Sequence, residues 1–140
     1  MDKLEVLRVG LRPISKGRSE WFSGNVLVER LYEAQDPGRV AVAMVRFEPR
    51  ARTAWHTHPL GQILIVVDGC GFVQEWEGPR IAIKPGDVIW IPPGVKHWHG
   101  ASSTTPMAHI AIQEKLGGVT AEWMEHVSDD EYGDPPCPAD

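Results

Sequence analysis

PRARTAWHTHPLGQILIVVDG, residues 49–69, and GDVIWIPPGVKHWHGA, residues 86–101, decide how this chain folds. Each carries a His-x-His pair, His56-Thr57-His58 in the first and His97-Trp98-His99 in the second, so four of the six histidines fall in two short stretches. In an extended strand, residues two apart point to the same side, so each pair presents both imidazoles to one face. Two such faces can surround one metal ion. Gln62 follows His58 across Pro59-Leu60-Gly61, where a turn into the apolar run QILIVV aims its amide oxygen at the same point. Imidazole suits the later first-row divalent ions, and an added oxygen ligand admits Mn, Fe, Ni or Zn. One His-x-His pair alone reads best as an ordinary surface or core pair. Two pairs flanked by turn glycines favour a metal.

Outward from these stretches, turn signals cut the chain into short pieces rich in Val, Ile and aromatics: QDPG at 35–38, FEPR at 47–50, DGCG at 68–71, EGPR at 77–80, KPGD at 84–87 and PPG at 92–94. Such regular punctuation predicts an all-β domain, with strands near 25–32, 39–48, 61–68, 70–76, 79–84, 87–91, 96–100 and 106–114. Residues 20–116 lack the sustained 3.6 periodicity of a long amphipathic helix. Past Leu116-Gly117-Gly118, the segment TAEWMEHV reads equally as a last strand or a helical turn. Ser128 followed by Glu131 is the capping-box pattern and predicts a short helical turn from Ser128. Residues 1–133 are expected to form a single domain, with an N-terminal arm over about 1–24. Residues 134–140, DPPCPAD within the tail, are expected to be flexible.

With 140 residues and 42% hydrophobic content, one core suffices. No run approaches the ~20 apolar residues that span a bilayer, and MDKLEVLRVGLRP lacks the continuous apolar segment of a secretory signal. A cytoplasmic protein with no membrane partner is expected. Cys70 and Cys137 are too few for a disulfide framework and read as free thiols. The net charge of -5 is unevenly spread, because seven acids follow residue 119 and no Lys or Arg does. The body is near neutrality, and no basic stripe interleaved with aromatics suggests nucleic acid. A small molecule is the expected partner.

The two opening stretches also resemble the paired motifs of the cupins, G-x5-H-x-H-x3/4-E-x6-G and G-x5-P-x-G-x2-H-x3-N. The spacing matches throughout, with three departures. Arg50 stands where the first motif opens with Gly, Gln62 where most cupins carry an acidic ligand, and Ala101 where the second closes with Asn. The first and third are changes of backbone and packing. The second alters the chemistry, since a neutral amide leaves the ion's positive charge uncompensated by protein; Gln62 as a donor behind the ligands is the alternative. The resemblance implies a jelly-roll β-barrel with a short C-terminal helical turn. It also implies pairing of chains through N-terminal strands, for which WFSGNVLVERLY at 21–32 is suited, giving a dimer or tetramer.

A narrower resemblance covers nearly the whole chain. ARTAWHTHPLGQ, PGVKHWHGA, AHIAIQE and EWMEHVSDDEY are similar to the bacterial manganese-dependent cupin hydroxynitrile lyases, which interconvert a cyanohydrin with an aldehyde and hydrogen cyanide. Position by position, this implies His56, His58, Gln62 and His97 as ligands of one divalent metal, Mn foremost. It implies His109 and Gln113 beside the substrate, with the metal as Lewis acid and His109 as general base. Independently of it, Met107, His109, Ala111 and Gln113 share one face of a strand, which places polar groups inside a wet or substrate-filled barrel, the alternative being a solvent-facing side. Ala41, Ala43, Val45 and Phe47 likewise share a face of small side chains that leaves cavity volume. Ala43, Val45, His99 and Ala111 are the expected pocket wall, with His99 either there or behind the ligands. Arg46 falls on the outer face, His126 outside both motifs, and Trp55, Trp90 and Trp98 read as wall packing. Two rival functions remain: an Fe(II)-dependent dioxygenase of a small organic substrate, and a non-catalytic small-molecule binder.

Overall fold

The computed structural model describes residues 3–139. Thirteen strands and one helical turn follow in order: β1 (Ile14–Lys16), β2 (Phe22–Ser23), β3 (Val26–Glu33), β4 (Val40–Phe47), β5 (Arg52–Thr53), β6 (His56–Thr57), β7 (Gln62–Gly69), β8 (Gly71–Glu75), β9 (Ile81–Ile83), β10 (Val88–Ile91), β11 (His97–Ala101), β12 (Met107–Glu114), β13 (Glu122–Trp123) and α1 (Asp129–Tyr132). The eight strands expected from the turn spacing are all present, within a residue or two at most ends. The ambiguous TAEWMEHV resolves into the two-residue strand β13.

Two antiparallel sheets face one another. One runs β1-β3-β4-β12-β7-β10; in the other, β11 is flanked by β8, with β9 beyond it, and by the short β5 and β6, which carry β2 and β13. Strand β12 sits at the centre of the first sheet, paired with β4 on one side and β7 on the other. This is the jelly-roll barrel expected from the sequence. Strand β3, part of the stretch expected to pair chains, has β1 and β4 on its two edges, so the sheet edge is β1.

Alternation decides what fills the barrel. On β7, Gln62, Leu64 and Val66 point inward and are buried; fully burying an aliphatic side chain of this size contributes roughly 1.5–3 kcal/mol. Val26, Val45, Phe47, Val66, Val73 and Met107 pack into one apolar cluster between the sheets. Trp55, Phe72, Trp98, Val127 and Tyr132 form a second. Trp90, expected to pack in the wall with Trp55 and Trp98, is instead 56% exposed, because β10 is an edge strand and its alternate side chains face outward. Arg46 is exposed, as its register predicts.

One glycine pins the β7–β8 corner. Gly69 has φ +76°, and a Cβ there would lie 1.8 Å from Pro106 O. Arg50, at the position where the motif has Gly, adopts φ +74°, so the backbone keeps the left-handed turn although the side chain does not favour it. Its guanidinium is paired with Asp134.

Two expectations about the C-terminus are revised or refined. Cys70 and Cys137, read as free thiols, form a disulfide with Cα atoms 5.9 Å apart. Their separation of 67 residues concealed a proximity that only the folded chain creates. The tail expected to be flexible makes further contacts here: Ser103 N donates to Pro135 O at 2.8 Å, and Cys137 N to Thr104 Oγ1 at 3.0 Å. The capping box is present as expected, with Ser128 Oγ accepting from Glu131 N and Glu131 Oε1 from Ser128 N.

Candidate metal centre

The two His-x-His stretches meet because β6 and β11 are antiparallel neighbours with His56 directly opposite His97. The carbonyl of His58 accepts from Gly61 N and Gly94 N, which ties the turn after the first stretch to the turn before the second. Gly61, at φ +82°, allows that turn: a Cβ would lie 2.5 Å from the Trp90 ring and 2.8 Å from Ile91 O. The chain then enters β7 with Gln62 facing inward. The ring centroids of His56, His58 and His97 lie 4.2–5.4 Å apart.

Hydrogen bonds settle which nitrogen each ring offers. Nδ1 of His56 lies 2.8 Å from Ala54 O, that of His58 2.7 Å from Thr120 O, and that of His97 2.9 Å from Val95 O. A carbonyl only accepts, so all three rings carry the proton on Nδ1 and keep the lone pair on Nε2. Nε2 of His58 and of His97 is buried with no hydrogen-bond partner, as is Oε1 of Gln62. Buried polar atoms are ordinarily paired. Orphaned acceptors on neighbouring side chains are what a cation requires, so the donor set fits a divalent metal.

His56, His97 and His99 form the group whose ligand atoms all approach within 4.8 Å of one another, and these three buried histidines can hold a metal ion. His99 thus lies within reach of the same ion as His56 and His97. Its Nδ1 lies 3.0 Å from Nε2 of His109. One proton sits between them. If His109 donates, neutral His99 carries no other proton-free nitrogen, its Nε2 being an N–H unable to ligate, and His109 Nδ1 holds a lone pair. If His99 donates, its Nε2 is free for a metal and His109 Nδ1 bears the proton.

Burial sets the charge state. Desolvation holds His56 and His99 well below the usual imidazole range, reinforced at both by the surrounding imidazoles; His58 is lowered by the same loss of water. His97 and His109 are brought down to about 4, again by burial. The cluster is therefore neutral at pH 7, the state in which imidazole ligates a metal or accepts a proton.

A cavity of about 230 Å³ opens beside it. Ala43, Val45, His56, His58, Gln62, His99, His109, Ala111 and Gln113 all line it, whereas His97 does not. His109 is fully buried and its face of β12 is interior, not solvent. His126 is exposed. Sequence reasoning missed the opposite wall: Trp21, Phe22, Thr53, Thr120 and Trp123. Trp123 stacks on His56 with centroids 4.4 Å apart and on Trp21 at 5.1 Å. The register on β13, where Trp123 pairs with His56, brings it there. No periodic signal in such short segments marks these residues in advance.

Residues 43–113 match the model of the cupin domain. The chain is a cupin. It is 56% identical over 129 residues, 92% of this chain and 98% of the relative, to a protein named (R)-mandelonitrile lyase from Granulicella tundricola. Among solved structures, a cupin-like protein from Thermotoga maritima is 44% identical, covers 92% of this cupin and 97% of its own chain, and superposes with TM-score 0.84. A predicted oxalate decarboxylase from the same organism, 22% identical, covers 80% of this cupin and all of its own chain at TM-score 0.70. At that identity the likeness concerns the fold alone.

Proposed function

We propose that this cupin is a metal-dependent hydroxynitrile lyase, cleaving a cyanohydrin to an aldehyde and hydrogen cyanide or running the reaction in reverse. The observation that carries the reading is the set of buried, unpartnered acceptors, Nε2 of His58, Nε2 of His97 and Oε1 of Gln62, two of whose side chains, His58 and Gln62, line a cavity shared with His109. The extensive likeness to a relative named (R)-mandelonitrile lyase supports the same chemistry.

His56, His58, Gln62 and His97 would hold one divalent ion, manganese foremost, with Fe, Ni and Zn compatible with the same donors. His99 is kept out of this set by accepting at Nδ1 from His109, which also leaves His109 Nδ1 free as a base. When bound, the ion supplies Lewis acidity that polarises the substrate hydroxyl and lowers its pKa. His109 Nδ1 takes the hydroxyl proton. The C–O bond becomes a carbonyl as the C–CN bond breaks, its electron pair leaving on the cyanide carbon. The imidazolium of His109 then returns the proton, releasing hydrogen cyanide and restoring the neutral ring. Ala43, Val45 and Ala111 give the substrate room by being small, and the stacked Trp21 and Trp123 add an aromatic wall to the same cavity.

Metal analysis of the purified protein followed by an anaerobic assay with mandelonitrile tests the reading. Stoichiometric metal and oxygen-independent benzaldehyde release are expected. Turnover of a small organic substrate that consumes oxygen would replace the reading with a dioxygenase, and bound metal without turnover would leave a binding protein.

A further inference from the structure

We propose that Gln113 is a positioning residue that decides which end of the Gln62 amide faces the imidazoles, and so sets the affinity of the centre for a divalent cation. The proposal rests on the reading of Gln62 as a ligand. A carboxamide has an acceptor oxygen at one end and a donor nitrogen of nearly the same size at the other. Half a turn about the last torsion exchanges them with little change of shape. Only the oxygen end can meet a cation; the nitrogen end would present hydrogens to it.

Something must therefore hold Gln62 one way round. Gln62 and Gln113 are direct cross-strand partners in the β7–β12 register. Gln62 Nε2 donates to Gln113 Oε1 at 3.0 Å. That bond engages the nitrogen end and leaves Oε1 buried without a partner. A carboxylate at position 62 would need no such neighbour, because both of its ends accept. The amide at 62 thus creates a requirement that the amide at 113 meets. Gln113 lines the same cavity and is half-buried, but in this account it acts through Gln62 and not on substrate.

The test is a double-mutant cycle on the full chain, stripped of metal and titrated with manganese(II) chloride by calorimetry: wild type, Gln113→Leu, Gln62→Glu and the double variant. Thermal unfolding of each metal-free form checks folding, and Gln113→Met, unbranched and of matching length, replaces the Leu variant should that one not fold. In the wild-type background, loss of Gln113 is expected to weaken manganese binding roughly 10–100-fold, the usual effect of removing a partner of a metal ligand. In the Gln62→Glu background the same change should cost no more than about twofold, since either carboxylate oxygen serves and the pair is uncoupled. Gln113→Leu binding manganese as tightly as wild type, or an equal loss in both backgrounds, would overturn the proposal while leaving the metal centre standing. Manganese binding that is indifferent to Gln62→Ala would remove the ligand reading itself, and this proposal with it.

Discussion

In the proposed mechanism His109 is the residue on which the chemistry turns. Truncating it to Ala should leave metal content at the wild-type level and reduce turnover by about 10²–10⁴-fold, the typical contribution of a positioned general base. Metal analysis beside the aldehyde assay checks this, and parallel loss of metal would make His109 a structural support of the centre instead. The buried imidazoles also fix how the metal-free protein responds to acid. His109 titrates near 4 when folded and near 6.5 when exposed, so between those values the unfolded chain binds a proton that the folded one does not. Its contribution, on the order of 3 kcal/mol, is whole above pH 6.5 and drains away as the pH falls toward 4. Acid unfolding followed by tryptophan fluorescence should accordingly begin near pH 6. A transition confined below pH 4 would show that the rings are more hydrated than their burial indicates. At this scale the clustering of the imidazoles was legible, because four of the six histidines fall in two short stretches. His99 was not: whether it ligates or supports His109 depends on a single proton shared with a residue ten positions away. Trp21 and Trp123 were equally hidden, since they reach the cavity through segments too short to show a period.

At the scale of elements, the C-terminal turn α1 is small but well anchored. Its capping box closes both ends of the first turn, and Tyr132, fully buried, donates its hydroxyl to Ala101 O at 2.7 Å at the end of β11. Arg52, also buried, reaches across to Val127 O and Asp129 and lies over the Tyr132 ring. Ser128→Ala should therefore cost about 1 kcal/mol in urea unfolding, whereas Tyr132→Phe, which strands a buried carbonyl, should cost about 1–3 kcal/mol. Equal, negligible effects would mean that α1 is only loosely docked. The strands themselves were readable because turn residues separate them at short intervals. Two-residue strands such as β5, β6 and β13 were not, since they are defined by a partner rather than by a pattern.

For the molecule as a whole, the Cys70–Cys137 bond joins the tail to the β7–β8 corner across 67 residues. Closing a loop of that length stabilises by on the order of 4 kcal/mol through the unfolded state. Reduction by dithiothreitol should lower the melting temperature while leaving metal content unchanged, because neither cysteine lines the cavity beside the imidazoles. Loss of metal on reduction would show that the tail supports the centre. Disulfides persist in oxidising surroundings, so in the cytoplasm expected from the sequence the tail would rely on its hydrogen bonds to Ser103 and Thr104. Leu4, Val6, Val9, Leu11 and Ile14 are all more than half exposed along the N-terminal arm. Light scattering of the full chain measures whether the dimer or tetramer expected from the sequence forms.

The central claim is that His56, His58, Gln62 and His97 converge on one ion. Anomalous diffraction from crystals grown with manganese(II), collected above and below the manganese absorption edge, tests it directly. A single peak within coordination distance of Nε2 of the three histidines and Oε1 of Gln62 is the expected result. A peak held by His99 in place of His58 and Gln62, or no peak in the barrel, would contradict it.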